Sequence, residues 1–275
     1  MIILNSQKSI TDWLNHCRVV GYTINEDMSV DVNGDVSLTG KFLVEIPIKF
    51  RNVIGNFNCK NNKLTSLKGC PIEVGGDFNC DKNKLSNLLD CPIKIGQNFS
   101  CHNNEITSLA GCPEKITRSF NCGRNKLPNL LGCPKVIGGN FGCVENKMTS
   151  LEGCPESIGG DFNCSNNKLI NLVGCPIKIV GYFYCSNSGL TDLVGCPEYV
   201  GGNFNCSENR LVYLVGRPII VGGYFDCRNN DLQDKVVMDL PYTQVKAYLV
   251  NKDLKLYLED TLSEETSLGI KNKKI

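Results

Sequence analysis

The chain has 275 residues, of which 41% are hydrophobic, and its 29 basic and 28 acidic residues leave a net charge of +1. This balance argues against a general attraction to nucleic acid or to an anionic membrane surface. Because no apolar run approaches the roughly 20 residues of a membrane span, and the start MIILNSQKSITDW lacks the features of a secretory signal, we expect a cytoplasmic protein.

Residues 1–33 predict an N-terminal cap made of a helix and a hairpin. Ser9, with Asp12 three residues later, resembles a capping box. The segment YTINEDMSVDV alternates apolar and polar residues around a turn at residues 25–27, which predicts a hairpin. The apolar residues after Ser9 follow the spacing of an amphipathic helix; they are Ile10, Trp13, Leu14 and Cys17.

Residues 34–232 consist of a repeat with a period of 21 residues, which predicts a solenoid of about ten coils. Its pattern is Phe-x-Cys-x-x-Asn-x-Leu-x-x-Leu, as in FNCKNNKLTSLKGC. The repeated phenylalanines are Phe57, Phe78, Phe99, Phe120, Phe141, Phe162, Phe183, Phe204 and Phe225. The asparagine keeps the same step, with Ser188 as the exception.

Each part of the repeat has a physical interpretation. Phe-x-Cys predicts a short strand with two side chains on its inner face, and the asparagine can bond neighbouring backbone near a tight turn. Leu64 and Leu67 close the core of a coil, and a return arm then leads to the next strand. Since one coil cannot bury its own apolar face, stacked copies must do so. The fold class is therefore a mainly β repeat solenoid with one short parallel strand per coil.

The unit FNCKNNKLTSLKGCPIEVGGD resembles a leucine-rich repeat, with Phe and Cys in place of the two strand leucines. Its length and return-arm proline are similar to those of bacterial effector-type repeats. It also resembles the Phe-x-Cys-x-x-Asn-x-Leu arrays encoded by tailed phages and large DNA viruses. The resemblance implies a horseshoe or arc and a phage-encoded protein.

Residues 233–260 predict a C-terminal helical cap, because TQVKAYLVNKDLKLYLED has a helical pattern. Helical caps are thus expected at both ends of the solenoid. Residues 261–275 are polar and are expected to form a frayed tail.

The 17 cysteines do not follow the spacing of a metal site. Sixteen of them form two series with the period of the repeat, which favours packing as small apolar side chains. Disulfides between adjacent coils stay a less favoured alternative, because side chains in one ladder rarely present the required dihedral. No catalytic motif is found, so we expect neither enzymatic activity nor a cofactor.

Two positions per coil flank the strand phenylalanine, and small polar residues, mostly asparagine, occupy them. Tyr182, Tyr184 and Tyr224 depart from this pattern, with Asp226 and Arg228 beside them. Tyrosine and arginine are frequent in binding hot spots, so these five residues form a candidate partner-binding site on the concave face. An alternative stays open, in which the tyrosines only cover the surface near the C-terminal cap.

A basic stripe follows the position between the repeated Asn and Leu. Its residues are Lys63, Lys84, Lys126, Lys147, Lys168 and Arg210. The stripe could bind a polyanion such as nucleic acid through phosphate contacts, whereas solvated lysines at an edge are the simpler explanation.

The favoured function is a non-enzymatic protein–protein interaction module. If the chain is phage-encoded, the resemblance implies that its partner is a host or defence protein in the host cytoplasm. The alternatives are a polyanion binder and a structural protein of a virus particle.

Overall fold

A computed structural model of the chain describes residues 4–233. The predicted helical cap at 233–260 therefore lies outside the described residues except for its first position. The predicted tail at 261–275 lies outside them entirely.

The N-terminal helix spans Gln7–His16 and buries Ile10 and Leu14 against the first coils, as the apolar spacing predicts. The predicted capping box at Ser9 and Asp12 is wrong. Ser6 is the N-cap, its Oγ accepts from the Ser9 N–H at 3.2 Å, and Ser9 takes the third helical position. The helix therefore begins one turn earlier, with two serine hydroxyls in the role that a Ser–Glu pair often has.

The predicted hairpin is present, with antiparallel strands Tyr22–Ile24 and Ser29–Val32. Its second strand pairs in parallel with Lys49–Val53, which joins the hairpin to the first return arm. Arg51 reinforces this junction, since its Nε donates to Asp31 Oδ1 at 3.0 Å. The cap and the solenoid consequently share one continuous sheet.

The repeated Phe-x-Cys segments form a ten-stranded parallel sheet with one strand per coil. Each phenylalanine pairs in register with the phenylalanine of the next coil. The strands are Val36–Ser37, Phe57–Asn58, Phe78–Asn79, Phe99–Ser100, Phe120–Asn121, Phe141–Gly142, Phe162–Asn163, Phe183–Tyr184, Phe204–Asn205 and Phe225–Asp226.

The return arms add shorter ladders on the other side of the core. Five strands belong to the sheet that begins with the hairpin, and two further sheets have three parallel strands each. The return-arm strands after Lys49–Val53 are Glu73–Val74, Lys94–Ile95, Lys115–Ile116, Val136–Ile137, Ser157–Ile158, Lys178–Ile179, Tyr199–Val200 and Ile220–Val221.

The core is a column of stacked rings. Consecutive repeat phenylalanines lie 4.9–5.9 Å apart between ring centroids. Phe50 continues the column towards the cap, 5.2 Å from Phe57, and Trp13 of the helix lies 6.5 Å from Phe50. Aromatic pairs at such distances add about 0.5–1.5 kcal/mol each beyond area burial. The exact 21-residue period is what keeps this column continuous.

The repeated asparagine bonds the backbone of its own coil and of the preceding coil, as the sequence pattern predicts. In one coil, the Asn125 Nδ2 donates to the carbonyls of Cys122 and Cys101 at 3.0 and 3.1 Å. Its Oδ1 accepts from the Ile106 N–H at 3.0 Å. The tight turn itself lies one residue earlier, since Arg124 has a left-handed φ of 53°.

All 17 cysteines are free thiols, 12 of them buried and five half-buried. They pack in the core, which confirms the favoured interpretation over inter-coil disulfides. Burial raises the pKa of thiols such as Cys101 and Cys143 well above the ordinary value, since a thiolate would lose its hydration. These thiols are therefore held in their neutral, unreactive form.

The fold of the chain is a leucine-rich-repeat solenoid. Its features are one parallel strand per 21-residue coil, a repeated asparagine that bonds neighbouring backbone, and a core of leucines. Between residues 4 and 233, no helix is both long and apolar enough to cross a membrane.

Candidate functional site

The strand face is the outward surface of the ten-stranded sheet, formed by the residues on either side of each inward phenylalanine. Its first column consists of the residues immediately before each phenylalanine. In this column, the side-chain oxygen of one coil accepts a hydrogen bond from the backbone N–H of the next coil. Donor–acceptor distances are 2.7–3.0 Å from Asp35 through Asp161, for example 2.8 Å from the Asp77 N–H to Asn56 Oδ1.

The glycine two residues before many of the phenylalanines makes room for this ladder. A Cβ added at Gly160 would overlap Oδ1 of Asn140, the ladder residue of the preceding coil. Gln97 and Arg118 take the glycine position in two other coils, where the ladder bond is kept. The small polar residues of the column accept a backbone hydrogen bond from the next coil, which explains why so many of them are asparagine.

Tyr182 interrupts the ladder. Its own backbone N–H still donates to Asp161 Oδ1 at 2.8 Å. Its side chain has no carbonyl-type acceptor for Asn203 in the next coil, and the ring instead lies over Gly202. The ladder resumes one coil later, where the Tyr224 N–H donates to Asn203 Oδ1 at 2.9 Å. Tyr182 thus replaces a stabilising hydrogen bond with an aromatic surface that is 43% exposed.

Tyr182 and Tyr184 form an edge-to-face pair with ring centroids 6.1 Å apart. Tyr184 is half-buried, and this burial, with the nearby Asp161 carboxylate and then Tyr182, raises the pKa of its phenol. Its hydroxyl therefore stays protonated and can donate a hydrogen bond at neutral pH. The pair presents two rings with fixed relative orientation.

Tyr224 and its neighbours lie two strands further along the sheet. Tyr224 is 79% exposed, the largest exposure of any of these aromatic residues. Arg228 forms a two-pronged ion pair with Asp226, with both N–O distances at 2.9 Å. This arginine lowers the pKa of the Asp226 carboxyl. The two charges neutralise each other, so the aromatic rings dominate this part of the surface.

The structure brings the predicted site residues together in two groups on one sheet. The first is the pair Tyr182 and Tyr184, and the second is Tyr224 with the ion pair of Asp226 and Arg228. The strand Phe204–Asn205 lies between the two groups, with polar Asn203 and Asn205 facing out.

The basic stripe is less continuous than its sequence positions indicate. Glu105 lies within the stripe and pairs with both of its neighbours, at 2.9 Å from Lys126 Nζ and 3.6 Å from Lys84 Nζ. Two of the six cations are thereby compensated. Gly189 interrupts the stripe a second time, between Lys168 and Arg210.

Within the described part of the chain, no group of three or more His, Cys, Asp or Glu residues is arranged to hold a metal ion. His102 lies just after the strand Phe99–Ser100, beside the strand face, and its backbone N–H donates to Asp81 Oδ1 at 2.7 Å. Asp81 also accepts from the Ser100 hydroxyl. The Asp81 carboxylate thus bonds the neighbouring coil, as the acceptors of the first column of the strand face do.

No protein-family model matches this chain, and no curated protein matches it. Among solved structures, the chain is similar to YopM from Yersinia enterocolitica WA-314, with 18% sequence identity and a TM-score of 0.47. The similarity covers 72% of this chain and 47% of that chain, so this chain spans about half the length of YopM. The leucine-rich-repeat fold is assigned from the repeat and its strand pairing.

Proposed function

We propose that the protein is a non-enzymatic interaction module that binds a protein partner through the strand face at Tyr182, Tyr184 and Tyr224. The observation that carries this proposal is the interrupted ladder at Tyr182. A residue that gives up an inter-coil hydrogen bond and exposes a ring is poorly explained by stability of the solenoid. Aromatic side chains with fixed orientation are the type of residue that supplies binding energy in interfaces.

The electrostatics of this surface favour a contact based on aromatic packing. Asp226 and Arg228 compensate each other, and the polar side chains between the two tyrosine groups are neutral. Binding through such a surface depends little on salt, whereas binding through phosphate contacts weakens steeply with salt.

The resemblance of the repeat to arrays encoded by phages supports a more specific proposal. The partner would be a host or defence protein, met in the cytoplasm of the infected cell. A solenoid offers an extended surface for such an interaction.

The test compares proteins retained from host cytosol by the wild type and by a triple variant, Tyr182→Asn, Tyr184→Asn and Tyr224→Asn. Asparagine is the commonest residue at these positions, so the variant is expected to fold and to regain the ladder bond at residue 182. Tyr199→Ser is the matched control, since it removes an exposed tyrosine of a return-arm strand.

We expect one protein to be retained by the wild type and the control but lost by the triple variant, with little change on raising the salt concentration. Direct titration of the purified partner should then show the same loss. Equal retention by all three proteins would contradict the site. Retention of nucleic acid alone, or sedimentation with virus particles in place of a soluble partner, would support the alternative functions.

A further inference from the structure

A second irregularity lies on the flank of the solenoid, just after the strand Phe183–Tyr184. Here the repeat has Ser188 and Gly189 where most coils have asparagine and a charged residue. A cavity of about 590 Å³ opens at this point. We call it the Gly189 notch, and the lining residues that matter are Lys168, Leu169, Ser188, Gly189, Glu208 and Arg210.

At the notch, one backbone amide lacks the asparagine side-chain acceptor that the equivalent amide has in other coils. In the next coil, the Leu190 N–H donates to Asn209 Oδ1 at 3.1 Å. The equivalent acceptor for Leu169 would have to come from Ser188. That side chain is too short, and its Oγ bonds the carbonyls of Ser186 and Cys164. The Leu169 N–H therefore has no acceptor among residues 4–233.

A second amide is released by the backbone of Gly189. At the equivalent position one coil earlier, the Lys168 N–H donates to the Met148 carbonyl at 2.9 Å, and one coil later the Arg210 N–H donates to the Leu190 carbonyl at 2.8 Å. Gly189 has a left-handed φ of 82°, which turns its peptide away from this pattern. Its N–H forms no hydrogen bond with any described residue. A Cβ at Gly189 would meet nothing within 4 Å, so the space beside it is open.

The charged residues around the notch are mostly positive. Lys168 and Arg210 are the stripe residues on either side of Gly189, about 10 Å apart by the spacing of parallel strands. In the part of the chain that is described, neither forms an ion pair, unlike Lys84 and Lys126. Glu208 is the single carboxylate of the lining. Two cationic residues and two residues with unbonded amides line one cavity, a combination typical of anion sites.

We propose that the Gly189 notch is an oxyanion site, which takes a phosphate or carboxylate group. The oxyanion accepts hydrogen bonds from the amides of Leu169 and Gly189. Lys168 and Arg210 pair with its charge from the two sides. This proposal is independent of the tyrosine surface, because no residue of the notch belongs to the strand face.

The experiment titrates the ¹⁵N-labelled full chain with sodium phosphate and, separately, with sodium acetate, while sodium chloride keeps the ionic strength constant. We expect saturable shifts of the Leu169 and Gly189 amide resonances. Tighter binding of phosphate than of acetate identifies a phosphate ester as the natural group, and equal affinities identify a carboxylate. Linear shifts without saturation, or shifts spread over the whole stripe, would overturn the proposal.

Two variants test the location of the site. Ser188→Asn with Gly189→Lys restores the pattern of the other coils, so it is expected to fold and to lose the saturable shifts. Lys168→Gln should weaken anion binding by about tenfold. Lys147→Gln removes the same charge from the same stripe outside the notch and should leave the affinity unchanged. Equal weakening by the two lysine variants, or undiminished binding by the restored coil, would contradict the proposal.

Discussion

The ring of Tyr182 lies over Gly202, in the place that an asparagine side chain takes over the corresponding glycine of other coils. A Cβ added at residue 202 would overlap the Cδ1 and Cε1 atoms of Tyr182. In the earlier coil, Asn140 has the same relationship with Gly160. At these two positions a side chain of the preceding coil occupies the space that a Cβ would need.

Gly202→Ala should displace the ring of Tyr182 and destabilise the solenoid by about 1–3 kcal/mol, the usual cost of overpacking. Urea unfolding gives this free energy. In a Tyr182→Ala background most of the cost should disappear, because the two closest atoms that the new methyl meets belong to the ring and only the Gly181 backbone carbon, at 3.1 Å, remains near it. Gly142→Ala is the control, since its Cβ would meet nothing closer than 3.6 Å. Equal costs for Gly202→Ala in both backgrounds would rule out the ring as the cause.

Asn125→Ala should cost more than an average polar substitution. It removes an acceptor from the buried Ile106 N–H and a donor from the carbonyls of two coils. Leaving one buried group unsatisfied costs about 1–3 kcal/mol, so a loss at the upper end is expected in urea unfolding. Asn121→Ala in the same coil is exposed and should cost clearly less. A smaller effect at Asn125 than at Asn121 would contradict the structural role of the repeated asparagine.

The fold was predictable because each coil repeats the same solution. The 21-residue step of the phenylalanines, Leu64 and Leu67 requires stacked strands and buried leucines, and the structure contains both. The helix start was less predictable. Ser6 and Ser9 are both good cap residues, and only the geometry shows that Ser6 Oγ accepts from the Ser9 N–H.

The site was predictable only in part. The departure of Tyr182 from the asparagine pattern is visible in the sequence, and so is Gly189. The meaning of each departure depends on bonds between residues 19 to 21 positions apart. Recognising that Asn56 accepts from the backbone of residue 77 requires the register of the sheet. The pairing of Glu105 with two lysines likewise depends on side-chain conformation.

The buried thiols should make the protein sensitive to alkaline pH. Burial raises the pKa of thiols such as Cys101 and Cys143 above the ordinary value of 9.0. Below pH 9 both the folded and unfolded chains keep the proton, and the stability is fully present. Above pH 9 the unfolded chain loses protons that the folded chain retains, so the free energy of unfolding falls with rising pH.

Each such thiol should lower the stability by about 1.4 kcal/mol per pH unit in this window. Urea unfolding between pH 8 and pH 10 measures the slope. Cys101→Ala leaves a cavity whose cost does not depend on pH, so this variant should start less stable but decline less steeply. Identical slopes for the wild type and Cys101→Ala would mean that the buried thiol does not contribute to the alkaline loss.

The alternative function as a polyanion binder depends on whether the basic stripe is continuous, and Glu105 is the residue that decides this. Glu105→Lys removes the ion-pair partner of both Lys84 and Lys126. The variant should bind heparin more strongly and elute at higher salt than the wild type, because more cations are then available to contact the polyanion. Exposed ion pairs contribute about 0–1 kcal/mol, so stability should change little. Glu114→Lys adds the same charge away from the stripe and serves as the control. An equal increase in heparin retention for both variants would indicate only a general effect of net charge. Strong retention of the wild type itself would show that the ion pairs of Glu105 do not limit polyanion binding.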